Sequence, residues 1–132
     1  MIFIETSYLI NLNVPKLQNH QRAKEIWVEI KDKEKIISKM IVYETITVLR
    51  KLKQDTKTVN KVYKLLVDGE IKVLEDVIYY EQALDYTLNH NKIGFFDNLS
   101  YIVMQNNDIK EIVSFDEDFD IFTAIERIGQ KP

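Results

Sequence analysis

Apolar and polar residues along this chain follow two periods, which predicts strands and helices in alternation. Short runs made up mostly of apolar residues predict strands that are buried on both faces, as in a parallel sheet. The predicted strands are 2–4, 35–38, 71–74 and 111–115, with a fifth short strand within 124–128. Between them, apolar residues recur every three or four positions, as on one face of an amphipathic helix. The predicted helices are 23–30, 39–53, 56–67, 77–90 and 98–107.

Strands that alternate with helices predict the α/β fold class, with a mainly parallel sheet of four or five strands. The chain has 132 residues with only three Gly and two Pro, and no stretch resembles a linker, so a single domain over 1–132 is expected. It has no Cys and two distant His residues, which excludes disulfides, thiolate chemistry and a Cys-based zinc site. The pattern predicts neither a signal peptide nor a membrane span, so we expect a cytoplasmic protein without membrane contact.

Charge is unevenly distributed along the chain around a net value of −3. Residues 50–64 include six basic side chains and one acid, whereas residues 108–126 include seven acids and one Lys. The simplest interpretation of the basic run is a solvated helix face. The acidic run is more informative, because several of its acids directly follow a predicted strand.

Four acids from separate segments are expected to meet in one crevice. Ligands of parallel α/β sheets bind beyond the carboxyl ends of the strands, and Glu5 and Asp116 each follow a predicted strand. Asp97 stands just before a predicted helix. Glu44 lies on an apolar helix face beside Val48, where an unpaired Glu is rarely buried.

Most of these acids also have a simpler interpretation. Asp97 would serve only as a helix N-cap, a role worth about 1 kcal/mol. Asp116, Asp118 and Asp120 would be turn acids that bond to nearby amides. Glu44 would point to solvent. The acid after the first strand is the hardest to explain in this way, because an exposed loop acid seldom follows a fully apolar strand.

The chemistry of these acids favours a hard divalent cation. Carboxylates that gather in one place repel each other, which raises their pKa values and costs stability unless cations neutralise them. Ligand sets of oxygen alone, without His or Cys, are typical of Mg²⁺ or Mn²⁺ sites. Such an ion activates water and stabilises the charge that develops on a phosphoryl group. The acids therefore indicate cleavage of a phosphodiester backbone.

Four segments give the chain a resemblance to the PIN domain family, in particular to the VapC-type toxins of prokaryotic toxin–antitoxin pairs. The segments are IFIETSYLINL at 2–12, ISKMIVYETITVLRK at 37–51, GFFDNLSYIVMQNN at 94–107 and EIVSFDEDFD at 111–120. The resemblance implies a three-layer α/β/α sandwich with strand order 3-2-1-4-5. It also implies an endoribonuclease that uses Mg²⁺ or Mn²⁺, forms homodimers and is obstructed by a cognate antitoxin.

The resemblance also assigns roles to residues of this chain. It implies catalytic and metal-binding roles for Glu5, Glu44, Asp97 and Asp116, with Asp118 as a fifth metal ligand and Glu44 as either a ligand or an orienter of water. The family often has a hydroxyl at the position of Ser114. The candidate RNA contacts are Ser114, Arg50, Lys53, Lys57, Lys61 and Lys64, of which the last three share a helix face.

One position departs from the family pattern. The first acid of the family is nearly always Asp, whereas this chain has Glu5, whose extra methylene moves the carboxylate away from the backbone. The sequence leaves three interpretations open: a tolerated ligand, a weakened enzyme, or a substitution that relieved toxicity during production. The alternative function is a catalytically weakened or inactive PIN-like binding module. A phosphoaspartyl enzyme or receiver domain is disfavoured, because the first strand lacks the acid pair that such proteins use.

Overall fold

Five short parallel strands form one sheet, which sets the frame for the rest of the chain. They are β1 Ile2–Ile4, β2 Lys35–Ser38, β3 Lys72–Leu74, β4 Glu111–Val113 and β5 Glu126–Ile128. Their order is β3-β2-β1-β4-β5, and each neighbouring pair is parallel. The α/β class and the strand order are therefore as predicted. The structure, a computed structural model, describes residues 1–90 and 92–129.

Helices connect the strands and cover the sheet. Within the described residues they are α1 Thr6–Asn13, α2 His20–Glu29, α3 Lys39–Lys51, α4 Thr56–Asp68, α5 Tyr80–Asn89 and α6 Phe95–Asn106. The three side chains of β1 are all 0% exposed. Because successive side chains of a strand point to opposite faces, both faces of the sheet are covered. The chain is therefore the expected three-layer α/β/α sandwich. Among the residues that the structure describes, no helix is both long and apolar enough to cross a membrane.

The apolar centre of the sheet brings the ends of β1 and β4 together. Phe3 pairs with Ile36 on β2 and with Ile112 on β4, and all three side chains are buried. Burial of each such side chain contributes about 1.5–3 kcal/mol relative to leaving it exposed. Immediately beyond this layer, the amide of Glu5 donates to the carbonyl of Val113 at 3.1 Å. The packing of the core therefore sets Glu5 beside the residues that follow β4.

Several element boundaries differ from the predictions because tertiary contacts decide them. The sequence pattern does not predict α1, since Tyr8, Leu9 and Ile10 are apolar in succession and all are buried. The predicted 77–90 helix is a 3₁₀ turn at Val77–Tyr79 followed by α5. The predicted 111–115 strand ends at Val113; the Ser114 amide still donates to the carbonyl of Ile128, but the amides of Phe115 and Asp116 bond to serine hydroxyls.

A carboxylate from outside the helix holds the start of α3. Ser38 occupies the N-cap position, but its buried hydroxyl has no hydrogen-bond partner among the described residues. Asp76, which is 1% exposed, instead accepts the amide N–H of Met40 and the hydroxyl of Tyr80, both at 2.9 Å. This contact fixes the helix that carries Glu44.

We expect Asp76→Ala to lower the free energy of unfolding by about 2–3 kcal/mol, because it leaves a buried amide and a phenol unpaired. Ser38→Ala is the matched control, and since the Ser38 hydroxyl is unpaired, its cost should stay below about 0.5 kcal/mol. Urea unfolding of both variants measures the difference. Equal losses in the two variants would show that Asp76 does not cap α3.

Candidate functional site

A cleft opens beyond the carboxyl ends of the strands, and acids line it. We call it the acid cleft; its acidic lining residues are Glu5, Glu44, Asp97 and Asp116, and its volume is about 440 Å³. The first turns of α1 and the side chain of Val48 complete its walls. The structure thus brings to one place the four acids that the sequence predicts there.

Three aspartates form a tighter group at this cleft. Asp97, Asp116 and Asp118 each offer a carboxylate oxygen, and these oxygens lie within 4.8 Å of one another. Asp116 caps the 3₁₀ segment Glu117–Ile121, and its carboxylate accepts the amide N–H of Asp118 at 2.9 Å. This turn points the two side chains from the acidic run toward α6.

Asp97 lies inside the first turn of α6 rather than before it. The N-cap of α6 is Gly94, so the interpretation of Asp97 as an N-cap is wrong. The first turn of a helix carries the positive end of the macrodipole, which favours a negative charge there. The helix therefore supports a carboxylate that the rest of the site opposes.

Burial and like charge together raise the pKa of Asp97 to about 7. Loss of hydration is the largest cause, followed by the negative charges of Glu5, Asp116, Glu44 and Asp118. Without a counter-ion, part of the Asp97 population therefore holds a proton near neutral pH. A cation in the group would favour the ionised form.

The donor set of the three aspartates fits a hard divalent cation. The group consists of carboxylate oxygens alone, without His or Cys, which is the ligand chemistry of Mg²⁺ and Mn²⁺. Asp97, Asp116 and Asp118 would hold the ion, and its charge would offset the repulsion that raises the pKa of Asp97. Glu5 and Glu44 line the same cleft but do not belong to this group.

Glu5 is the N-cap of α1, and its carboxylate faces two serines. Its Oε1 atom accepts the Ser7 amide at 3.1 Å, the Ser7 hydroxyl at 2.5 Å and the Ser114 hydroxyl at 2.6 Å. The side chain is only 5% exposed. Burial raises the pKa of Glu5, although the hydrogen bonds from Ser114 and Ser7 act in the opposite direction.

The two serine hydroxyls also accept hydrogen bonds from the backbone at Asp116. The amide of Phe115 donates to the hydroxyl of Ser7 at 2.9 Å, and the amide of Asp116 donates to the hydroxyl of Ser114 at 3.0 Å. Each hydroxyl therefore accepts an amide and donates to Glu5. The buried carboxylate in this way orients the loop from which Asp116 projects.

Ser114 is fully buried at 0% exposure. Its hydroxyl is enclosed between Glu5 and the Asp116 amide, so a contact with RNA, which stays a prediction, would require these groups to move. In this arrangement its hydroxyl holds the backbone of Asp116.

Glu44 comes to the cleft from α3 and is tied to α1. Its carboxylate accepts a hydrogen bond from the hydroxyl of Thr6, and its side chain is partly exposed. The apolar helix face predicted around Glu44 thus borders the cleft, where Val48 also contributes. The residue does not point away into bulk solvent.

Arg127 supports the aspartate-bearing segment from β5, and sequence reasoning missed it. Its guanidinium bonds to both carboxylate oxygens of Asp120, at 2.8 and 3.0 Å, and to the carbonyl of Ser114 at 3.0 Å. The hydrogen bond from Arg127 lowers the pKa of Asp120. Asp120 therefore bonds to a guanidinium, whereas the simpler interpretation predicted a bond to a nearby amide. Ser7, Thr6 and Arg127 carried no recognisable spacing signal in the sequence, except that Ser7 follows an N-cap acid.

The predicted basic residues lie outside the acid cleft. Arg50, at the end of α3, and Lys53, just beyond it, are exposed and do not line the cleft. Lys57 and Lys61, together with Lys64, line a separate groove on α4. The structure therefore does not bring the basic set and the acids into one pocket.

The raised pKa of Asp97 predicts that the metal-free protein loses stability with rising pH. An acid whose pKa rises from 3.8 to about 7 on folding holds its proton more tightly in the folded state. The free energy of unfolding therefore falls as the pH rises from about 4 to about 7, and is constant above that range. Asp97→Asn should weaken this dependence, leaving the part that the raised pKa of Glu5 contributes, and should raise the free energy of unfolding near pH 8 by on the order of 1–2 kcal/mol, a value that allows for solvent screening.

Urea unfolding in EDTA at about pH 5 and about pH 8 measures this effect. Asp32→Asn is the control, because Asp32 is exposed and remote from the cleft. The same pH dependence in Asp97→Asn and in the unaltered chain would contradict the prediction.

Comparison with known proteins places this fold and cleft in context. A model of the PIN domain family matches residues 2–124. VapC20 of Mycobacterium tuberculosis, a toxin that cleaves the sarcin–ricin loop, is similar with a TM-score of 0.85 and 24% identity, over 93% of this chain and 95% of that chain. VapBC2 of Rickettsia felis bound to promoter DNA has a TM-score of 0.67 and 15% identity, over 97% of this chain and 98% of that chain.

A third similar structure is FitAcB of Neisseria gonorrhoeae, with a TM-score of 0.66 and 16% identity, over 98% of this chain and 97% of that chain. At these identities, the structural likeness shows a shared fold. No curated protein matches the chain.

Proposed function

Because this chain belongs to the PIN domain family, we propose that it is a metal-dependent endoribonuclease that hydrolyses RNA phosphodiesters with Mg²⁺ or Mn²⁺. The observation that carries the proposal is the group of Asp97, Asp116 and Asp118, whose oxygens lie within 4.8 Å of one another in an open cleft. RNA is proposed as the substrate because VapC20, a similar structure, is a toxin that cleaves the sarcin–ricin loop.

The three aspartates would hold the ion, and the two glutamates would act around it. A divalent cation supplies activation of water and stabilisation of the charge on the phosphoryl group. Glu44 is partly exposed in the cleft and is oriented by Thr6, so it would orient the attacking water. Glu5 would hold Asp116 in place through the two serines. In this proposal, Glu5 is a positioning residue.

We further propose that the chain is the toxin of a VapBC-type pair, a single PIN domain over 1–132 that works as a homodimer and is inhibited by a cognate antitoxin protein. The similar structures include toxin–antitoxin complexes. Exposed apolar side chains at Val77, Ile78, Leu84 and Leu88 offer a surface for subunit contact. A monomeric mass in sedimentation equilibrium at micromolar concentration would remove the homodimer from the proposal.

Cleavage of single-stranded RNA in the presence of Mg²⁺ or Mn²⁺ tests the assigned site. Asp97→Asn should lower the rate by about 10²-fold or more, because it removes one charged oxygen from the group that would hold the ion. Asp32→Asn is the control and should cleave like the unaltered chain. Equal rates for Asp97→Asn and the unaltered chain would refute the assignment.

The Glu5→Asp variant tests whether Glu at this position is compatible with full nuclease activity or lowers it. The shorter carboxylate cannot keep all its contacts with Ser7 and Ser114, so we expect no rise in the rate and a loss of about 1–2 kcal/mol in the free energy of unfolding. A rate that rises tenfold or more would instead show that Glu5 weakens the enzyme. The absence of cleavage by every variant, with no gain in melting temperature on addition of Mn²⁺, would favour the PIN-like binding module.

A further inference from the structure

A second concave surface lies on α4, separate from the acid cleft. We call it the basic groove; it is lined by Thr56, Lys57, Asn60, Lys61 and Lys64 and has a volume of about 650 Å³. Its residues are spaced so that all project from one side of the helix, and it shares no lining residue with the acid cleft. Each of these side chains can donate a hydrogen bond.

Positive charge predominates in this groove, and its lysines form no close ion pair within the described part of the chain. Lys57, Lys61 and Lys64 are exposed, and across residues 1–90 and 92–129 no ion pair within 4.0 Å involves any of them. Within α4 the only acid is Asp68, its last residue. Asp55, just before the helix, caps it through the amide of Thr58 at 2.7 Å, and this hydrogen bond and, to a lesser degree, the charge of Lys57 lower the pKa of its carboxyl.

The groove lies on a helix that packs against one wall of the acid cleft. α4 packs against α3, and α3 contributes Glu44 and Val48 to the cleft. Glu44 and Lys51, at the end of α3, are seven positions apart, which is a rise of about 10 Å along the helix. Exposed Lys51 and Lys53 extend the positive charge between the two helices. α4 is therefore the neighbour of the helix that lines the acid cleft.

We propose that the basic groove binds the phosphate backbone of single-stranded RNA and holds the strand beside the acid cleft, independently of any metal. The proposal rests on the proposed function for its substrate. Lys, Thr and Asn side chains are typical phosphate contacts. A protein partner is disfavoured because the centres of protein interfaces are depleted in Lys and rely on aromatic and apolar anchors, which the groove lining lacks. Tyr63, 42% exposed on the same helix, offers a ring on which a base can stack.

The experiment measures binding of a fluorescent single-stranded RNA of about 20 nucleotides to the full chain in EDTA, over a range of salt concentrations. The test variant is Lys57→Gln, Lys61→Gln and Lys64→Gln combined. The matched control is Lys16→Gln, Lys24→Gln and Lys31→Gln combined, which removes the same charge from exposed positions elsewhere. Thermal melting verifies that both variants are folded.

We expect the groove variant to bind about tenfold or more weakly at low salt, and the slope of log affinity against log salt to fall by about two, since three phosphate contacts are lost. The control variant should keep the slope. Equal losses in the two variants, an unchanged groove variant, or an unaltered chain that does not bind RNA in EDTA would each overturn the proposal. An unchanged groove variant would also be the result if the groove served an acidic protein.

Cleavage assays separate this inference from the proposed function. In the presence of metal, the KM of the groove variant for a long RNA should be higher than that of the unaltered chain, and its kcat should be the same. The reason is that the groove holds the strand and does not touch the reacting atoms. If no variant cleaves RNA but the groove variant alone loses binding, the proposed nuclease fails and the groove assignment stands. If the groove variant binds and cleaves like the unaltered chain, the groove assignment fails and the nuclease stands.

Discussion

The buried carboxylate of Glu5, at the end of the central strand, determines how the site is assembled. A carboxylate that is 5% exposed would be strongly destabilising without partners, and here Ser7 and Ser114 supply three hydrogen bonds to one oxygen. Because each serine hydroxyl also accepts an amide from the loop after β4, satisfying Glu5 also fixes that loop. One side chain in this way joins β1, α1 and the segment that carries Asp116.

The carboxylates of the acid cleft repel one another, so the fold must hold them together. The pKa of Asp97 is raised because burial and four neighbouring carboxylates oppose its charge, and the residue lies in the first turn of α6. Structural contacts on both sides support this arrangement. Arg127 holds Asp120 and the carbonyl of Ser114 from β5, while Asp76 holds the start of α3. Rigid supports around a group of mutually repelling acids are typical of a site built to be completed by a cation.

A protein with a net charge of −3 would repel a polyanion overall, but its charge is unevenly distributed. Negative charge is concentrated at the carboxyl ends of the strands, where the proposed ion would offset part of it. Positive charge is concentrated on α4, where it needs no ion. α3 contributes Glu44 to the acid cleft and packs against α4, which carries the positive surface. In the proposed function, chemistry and strand binding are therefore carried by different elements.

The sequence by itself determined the fold class, because hydrophobic period and strand length are local properties of the chain. It also placed Glu5 and Asp116 in one crevice, since both follow strands of a parallel sheet, and it singled out Glu44 by its apolar helical neighbours. Only the tertiary structure decided which acids form a group. Asp97 and Asp118 join Asp116, whereas Glu5 faces Ser114, a residue 109 positions away in the sequence. The choice depends on hydrogen bonds between distant segments and on the capping of α1, and neither leaves a periodic signal in the sequence.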